Sequence, residues 1–521
     1  MENGTLKRPS FGLALMTFVG VAAIISYGLL GLGLDAHVPI ALAATFAGLV
    51  GKIAVGISWK DMFRSIADTI TSSAETLLIL ITIGMLVGAW VQAGVVPGMI
   101  YYGFNLLTPG MFLLATLLIC SIVSVATGSS WGVGGTVGVA LMGIAIGLGI
   151  PAPLAAGVII SGAYFGDKMS PLSDTTNLAP AVSGSNLFDH IRAMVWTTTP
   201  SYIIVVGITI FLGFKYAAGT GNFDSAKIQA LQTLLATEFH ITPLYTAIPA
   251  LIVLVLAVMK YPAVPSMIAG TLAGSVSALM QGKGLSETLE VIHYGYHSTI
   301  ATKISETAVT ELPAILTESG IAGITPEVAH EASGILTELL NRGGIDSMMW
   351  SLSLIMIALA LGGVMESCRY LDVLLTPMLR KVRTVGGFVS LVMASSFTSN
   401  VFLGDQYLGI IIPGRMFKDA VAHSDLSPRM LSRTLEDCGT MTAVLIPWTG
   451  CGAFQSAALG VPTLAYAPYC FLNYVNPFVG IAMAYMGIGN YWGKNGADRV
   501  ERRTALTFDL SETAPSVDEK A

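Results

Sequence analysis

Apolar residues run in blocks of membrane-spanning length, separated by short polar stretches, and the pattern occurs twice. In the first pass, blocks near the roughly 20 residues needed to cross a bilayer fall at 11–34, 38–57 and 74–93. Ser58 to Ile70 carries Lys60, Asp61, Arg64 and Asp68 in an amphipathic arrangement, which predicts a helix along the membrane interface. Two apolar arms, 110–126 and 131–149, flank the stretch TGSSWG at 127–132. An interrupted block, 152–189, and an unbroken one, 193–214, follow. Residues 215–240 read as a polar connection bearing Lys215, Asp224, Lys227, Glu238 and His240.

The second pass has spans at 243–259 and 263–280, a mixed stretch at 284–301 and a span at 347–367. Its arms, 385–398 and 401–414, surround FTSNVFLGDQ (Phe397 to Gln406). A second interrupted block, 428–460, contains TLEDCGTMTAVLIPWTGCGA, and 463–488 closes the set. Thr127 precedes Asp167 by 40 positions, and Thr398 precedes Asp437 by 39. Such weak internal symmetry is the mark of a repeat-built transporter. Arms of roughly 15 residues reach about 22 Å at 1.5 Å per residue, short of the ~30 Å hydrocarbon core. They therefore predict hairpins that stop at mid-membrane, with TGSSWG and TSN (398–400) as tips.

The expected fold is an all-α polytopic membrane protein of two inverted-topology repeats, with about ten transmembrane helices, two re-entrant hairpins and two broken helices. The first repeat spans 11–214, with its hairpin at 110–149 and broken helix at 152–189. An external connection, 215–242, leads to the second repeat, 243–488, which holds an acidic external insertion (302–344), a hairpin (385–417) and a broken helix (428–460). A cytoplasmic tail, 489–521, completes the chain.

Composition fits this class. Of 521 residues, 53% are hydrophobic and 11% charged, where soluble domains carry roughly 25% charged residues. A net charge of −6 argues against nucleic acid as a partner. Five cysteines without close pairing suggest neither a disulfide framework nor a zinc site. The apolar run after Lys7 and Arg8 is too long for a signal-peptide core and reads as the first span.

With the amino terminus inside, Lys52, Lys60, Arg64, His190 and Arg192 also fall inside. So do Lys260, Arg369, the Arg380, Lys381 and Arg383 cluster, and Lys494, Arg499, Arg502 and Arg503. The insertion rich in Glu306, Glu311, Glu318, Glu327, Glu331 and Glu338 falls outside, as the positive-inside bias requires. Both termini are thus expected in the cytoplasm.

Candidate chemistry centres on Gly166 to Pro180, GDKMSPLSDTTNLAP. Gly166 and Pro171 oppose a continuous helix, and Asp167, Lys168 and Asp174 sit where a charge costs roughly 2.5–3.5 kcal/mol. Ser161, Ser170, Ser173, Thr175, Thr176 and Asn177 crowd the interruption. A broken helix with carboxylates and unpaired carbonyls suits a cation. Sodium, a hard ion, takes oxygen ligands as calcium and magnesium do. Asp167, Asp174 and Asn177 are the candidate Na+ ligands, with Thr175, Thr176 and the hairpin residues Thr127, Ser129, Ser130 and Trp131 around them. A carboxylate taken out of water holds its proton more tightly, so sodium and protons would compete for the same oxygens. Lys168 could neutralise one carboxylate or serve as a plain ion pair.

The second half offers Ser399, Asn400, Asp405, Asp437, Thr440, Thr442 and Thr449, with Asp437 matched to Asp167 by the repeat. Glu436 reads equally as a functional acid or a partner of Arg433 or Arg415. Gln92 and Glu366 read as packing or interfacial groups, and His293, His297 and His330 as solvated side chains.

GAYFGDKMSPLSDTTNLAP, IGMLVGAWVQAGVVPGMIYYG, the SSWG tip, DQYLGIIIPGRMF and SRTLEDCGT together resemble the NhaC-type sodium/proton antiporter family, over about 11–490. The resemblance implies sodium/proton exchange in a bacterial inner membrane, an elevator-type motion and no cofactor beyond the transported ions. One departure stands out: Thr449 and Gly450 replace the Asn-Thr pair the family pattern leads one to expect. The family also includes exchangers of organic acids and amino acids, for which Lys168, Lys303 and Arg415 are candidate anion partners. Expected partners are Na+, H+ and the lipid bilayer, with a homodimer as the candidate assembly. No nucleotide-binding or phosphotransfer motif suggests an enzyme or a primary pump.

Overall fold

The computed structural model describes residues 8–219, 225–259, 261–379, 381–493 and 499–506. Lys7, Asp224, Lys260, Arg380, Lys494 and the tail from 507 lie outside the described residues. The chain is an all-α polytopic membrane protein. Among the described residues, nine helices are long and apolar enough to cross a bilayer, judged by length and composition.

In the first half, α1 (Phe11–Ser26) and α2 (His37–Val50) each end in a π turn, and the amphipathic α3 (Trp59–Ser72) follows. Ser58 caps α3 by accepting from the Asp61 amide at 3.1 Å, the expected way to satisfy an orphan donor at a helix start. Next come α4 (Ala74–Gln92), α5 (Val95–Leu106), α6 (Pro109–Thr127) and α7 (Ser130–Gly147). The broken segment is α8 (Ala152–Met169) and α9 (Asp174–Ser183), and α10 (Leu187–Gly219) closes the half.

The 215–240 stretch, expected as a polar connection, is mostly helical in its described residues. It is largely α11 (Ser225–Glu238), whose Ala230, Leu231, Leu234 and Leu235 are buried. Lys227 and Glu238 share the face of these apolar residues and pair with the cap, Lys227 with Glu331 and Glu238 with Tyr296 and Ser298, so their polarity did not mark exposure. Beyond it lie α12 (Pro243–Val258), α13 (Ala263–Met280), α14 (Leu285–Tyr294), α15 (Thr299–Glu306), α16 (Leu312–Glu318) and α17 (Pro326–Leu340). The 302–344 insertion is thus a folded helical cap: α17 packs on α11 and α15, and Glu238 accepts from the Tyr296 and Ser298 hydroxyls.

The second half continues with α18 (Gly344–Ser367), α19 (Tyr370–Leu379), α20 (Val385–Leu403) and α21 (Gln406–Ala422). Its broken segment is α22 (Pro428–Leu435), running on through a π turn (Glu436–Thr440) and Met441–Ala443, then α23 (Gly450–Leu459). The last helices are α24 (Thr463–Tyr466) and α25 (Phe471–Met486).

The described part of the expected tail is docked against the bundle. Its strands β1 (Tyr491–Trp492) and β2 (Arg499–Val500) pair, Thr384 bridges Ala505, and the Arg429 guanidinium stacks on Tyr491.

Two further expectations change. The hairpin arms are longer than the apolar count suggested: α6 and α20 have 19 residues each and α7 has 18. Such helices reach about 28 Å, so arm length no longer argues for a mid-membrane stop. The polar residues were counted as loop, yet Thr127, Thr398, Ser399 and Asn400 are helical. The second turn therefore lies at Gly404 and Asp405, four residues beyond TSN.

Both turns rest on left-handed glycines, Gly128 and Gly404, each at φ +70°, a conformation that costs glycine nothing. Any side chain at Gly128 would fall 2.7 Å from the Leu172 carbonyl carbon. The first turn is thereby pressed against the first helix break. At the second, the Gly450 amide donates to the Gly404 carbonyl at 3.0 Å. Each hairpin turn meets the helix break of its own half. Across halves, α9 packs on α21 and α7 on α23.

Candidate functional site

The first break is Ser170 to Ser173, held open by its own side chains. Gly166 is helical; the interruption begins at Ser170, just ahead of Pro171, as expected for a residue preceding proline. Thr176 Oγ1 donates to the carbonyls of Asp167 and Lys168 at 3.0 and 2.9 Å, satisfying acceptors orphaned where α8 ends. Asn177 Nδ2 donates to the carbonyls of Pro171 (3.0 Å) and Ser173 (2.7 Å). The nitrogen of Asn177 is committed to the break, so Oδ1 is the one oxygen its side chain could offer a cation.

Asp167 lies in the last turn of α8 and is 5% exposed. Its two oxygens accept from Ser130 Oγ and Ser173 Oγ, each at 2.6 Å. Short hydroxyl-to-carboxylate bonds of this kind are the stronger, charge-assisted type. Asp174 opens α9 and is exposed. Both aspartates line a cavity of about 1200 Å3, together with Glu75 at the start of α4. Thr127, Ser129, Ser130, Trp131, Ser173, Thr175, Asn177, Gln406 and Tyr407 share its wall. Among the described lining residues three are acidic and none is Lys, Arg or His.

The second-half candidates are placed differently. Asp405 caps α21, accepting from the Tyr407 and Leu408 amides at 2.7 and 3.1 Å and from Ser73 Oγ at 2.9 Å. Thr449 caps α23 and donates to the Ala443 carbonyl at 2.6 Å, stitching the second break shut. Asn400 Nδ2 donates to the Gly439 carbonyl (2.7 Å) and Thr442 Oγ1 (3.1 Å). Ser399 and Thr440 are buried, with hydroxyls that have no partner among the described residues. None of these seven positions, Asp437 included, lines the cavity.

Asp437 instead anchors a dry charge cluster. Lys168 Nζ meets Asp437 Oδ1 at 2.5 Å, with both side chains at most 1% exposed. Thr197 Oγ1 (3.0 Å) and Asn476 Nδ2 (2.9 Å) donate to the same oxygen, and Arg433 Nε stands 3.8 Å from Oδ2. A buried pair repays its desolvation only with such extra hydrogen bonds. Arg433 thus faces Asp437, whereas Glu436 accepts from Thr175 Oγ1 at 2.9 Å and reaches the first break instead.

Of the candidate anion partners, Lys168 is closed onto Asp437, Lys303 pairs with Glu318 at 3.1 Å in the cap, and Arg415 is exposed on α21 away from the cavity.

Sequence reasoning missed Glu75, Gln406, Tyr407, Asn476 and the part played by Ser173. Asn473 and Asn476 inside an apolar run were a readable signal of a buried polar contact; Glu75, one residue past an amphipathic helix, carried none. Gln455 Nε2 donates to the Ser130 carbonyl (3.3 Å), and Trp131 stacks on Phe454 at 4.3 Å, so the first turn also leans on the second half.

The profile of the Na+/H+ antiporter family matches residues 162–321 and 286–488. The chain is 36% identical to the Na+/H+ antiporter NhaC of Alkalihalophilus pseudofirmus, over 93% of this chain and 97% of that one. It is 36% identical to the arginine/ornithine antiporter ArcD of Halobacterium salinarum, over 92% and 93%. It is 35% identical to the malate-2H+/Na+-lactate antiporter of Bacillus subtilis, over 94% and 98%.

Proposed function

The chain belongs to the Na+/H+ antiporter family, and from that premise we propose that it exchanges Na+ for H+ as a secondary active transporter, with both ions competing for Asp167. The observation that carries this reading is the cavity wall: Glu75, Asp167 and Asp174 face it, with no basic residue among the described lining. Such a wall attracts small cations. Malate or lactate would need a cationic partner, and Lys168, Lys303 and Arg415 are all elsewhere.

Among the described residues no three His, Cys, Asp or Glu side chains stand close enough together to hold one metal ion. Sodium would then be held by Asp167 with Asp174, the Thr175 hydroxyl, Asn177 Oδ1 and break carbonyls. Ser130 and Ser173 point hydroxyls at both Asp167 oxygens, fixing the carboxylate while it is ionised. An ionised carboxylate with no sodium is the costly state, because its charge must be carried through a low-dielectric interior. Binding either Na+ or H+ removes that cost. If only the occupied forms cross, competition becomes exchange. Lys168 and Asp437 pair within the protein, and the charge that moves with the cargo sets the electrical work of transport. Each such charge is worth about 2.3 kcal/mol per 100 mV.

The moving body is proposed to be the two hairpins and two broken helices, travelling elevator-fashion against α1–α4, α12, α13 and α18. The inverted-repeat division at 11–214 and 243–488, the cytoplasmic termini, the bacterial inner membrane and a homodimeric assembly belong to the same proposal.

Purified protein in sealed vesicles with an imposed pH gradient tests it. Sodium alone should dissipate the gradient, and Asp167→Asn or Asp174→Asn should abolish the flux while the protein still inserts. A strict requirement for malate, lactate or arginine would contradict the reading.

A further inference from the structure

Two oxygens of the first break face each other with no hydrogen left to join them. Ser173 Oγ and Thr175 Oγ1 stand 3.2 Å apart, and both residues line the cavity. A hydroxyl has one hydrogen to donate. Ser173 gives its own to Asp167 at 2.6 Å, and Thr175 gives its own to Glu436 Oε1 at 2.9 Å. What remains between them is a pair of lone-pair faces, the oxygen donors a hard cation takes. Glu436 is fully buried and, unlike Asp167, does not line the cavity.

We propose that Glu436 is a positioning residue for sodium: ionised, it holds the Thr175 hydroxyl with its lone pairs towards the ion, and protonated, it turns that hydroxyl away. The proposal rests on the reading that sodium is bound at Asp167 with Thr175. It adds a second carboxyl at which a proton opposes sodium, one set back from the ion. The hydrogen count gives the switch. A proton taken up on Glu436 Oε1 forms one new O–H bond, which donates to Thr175 Oγ1. The Thr175 hydrogen then turns to Ser173 Oγ and fills the 3.2 Å gap, while Ser173 keeps its bond to Asp167. One proton is gained and one cation ligand is lost.

The surroundings let Glu436 ionise. Lys168 and Asp167 on α8 face it, and Arg433 and Asp437 flank it on its own segment. Lys168, Arg433, Glu436 and Asp437 are each fully buried, and when ionised their charges sum to zero. Among the described residues no cation pairs with Glu436 directly, because Lys168 meets Asp437 and Arg433 faces it too. Glu436 Oε2 has no hydrogen-bond partner there either. A buried charge is held by a close partner and by hydrogen bonds to its remaining lone pairs; the Glu436 charge is balanced but not locked. Of the other elements against this turn, α20 and α25 carry no charged residue. The charges of α21, Arg415, Lys418 and Asp419, are exposed, and Asp174 of α9 opens on the cavity.

Calorimetric sodium titration of the purified full chain over a series of pH values tests the proposal. With two protons displaced per sodium, from Asp167 and Glu436, binding should weaken about a hundredfold per pH unit at the acidic end. Glu436→Gln cannot take up the second proton and should weaken only about tenfold per unit, a change that lost packing alone does not produce. Thr175→Val keeps every buried charge. It should bind sodium severalfold more weakly and show the same reduced slope, with Thr175→Ser restoring both. A one-proton slope in the wild type, or an undiminished slope in either Glu436→Gln or Thr175→Val, overturns the role of Glu436 and leaves exchange at Asp167 standing. Sodium binding that displaces no proton from the wild type contradicts the exchange reading itself, and the proposal falls with it.

Discussion

At the first helix break, Asp167 and Asp174 stand on either side of Ser170 to Ser173, and both line the cavity. At the second, Val444 to Thr449, no acidic residue occurs in the gap. Glu436 and Asp437 sit eight and seven positions ahead of it, fully buried. The two breaks share one backbone device, a left-handed glycine turn laid against the end of a broken helix. Their side chains divide the work. The first break is wet and acidic, while the second is dry and supplies a counter-charge to Lys168, which neighbours Asp167 in sequence. Without Asp437, Lys168 would be the nearest cation for the first break and could occupy the carboxylates meant for the cargo.

Removing that counter-charge should have the largest structural effect. Asp437→Asn strips buried Lys168 of its ion-pair partner, a change worth about 3–5 kcal/mol in comparable cases. The unfolding midpoint in detergent should fall sharply and recover in part when Lys168→Met is added. A wild-type midpoint for Asp437→Asn alone would erase the contrast between the breaks. Asn400→Ala comes next, because it strips the Gly439 carbonyl and Thr442 hydroxyl of a buried donor. About 1–3 kcal/mol of stability should be lost, read by chemical denaturation of the purified protein.

At the first break the expected losses are smaller. Thr176→Val uncaps the Asp167 and Lys168 carbonyls and should cost about 1 kcal/mol, with Thr176→Ser close to wild type in the same assay. Asn177 is exposed, so water can replace its bonds to Pro171 and Ser173. Asn177→Ala should cost about 0.5 kcal/mol, with its clearest effect on the sodium dependence of transport.

Periodicity exposed much of this architecture. Block lengths placed the spans, and the clustered charges of GDKMSPLSDTTNLAP located the first break within a few residues. The sequence was misleading where polarity stood in for backbone geometry. Thr398, Ser399 and Asn400 looked like a loop, yet buried hydroxyls and amides can sit in a helix when neighbouring carbonyls or side chains accept from them. The spacing match of Asp437 to Asp167 was real in sequence, but Asp167 lies three positions ahead of its break and Asp437 seven. One helical turn moves the second carboxylate from the cavity to the interior. Lys168 pairing with Asp437 spans 269 positions, and no local pattern encodes such a contact. Glu75 enters the wall because the start of α4 is held against the second turn, where Ser73 donates to Asp405.

The central claim is that sodium and protons contend for Asp167. The most direct test is to add Na+ to the purified protein in weakly buffered detergent solution and record the protons released, alongside calorimetric sodium binding. The account predicts proton release by the wild type on sodium binding, and none by Asp167→Asn. Sodium binding by the wild type with no proton released would contradict it.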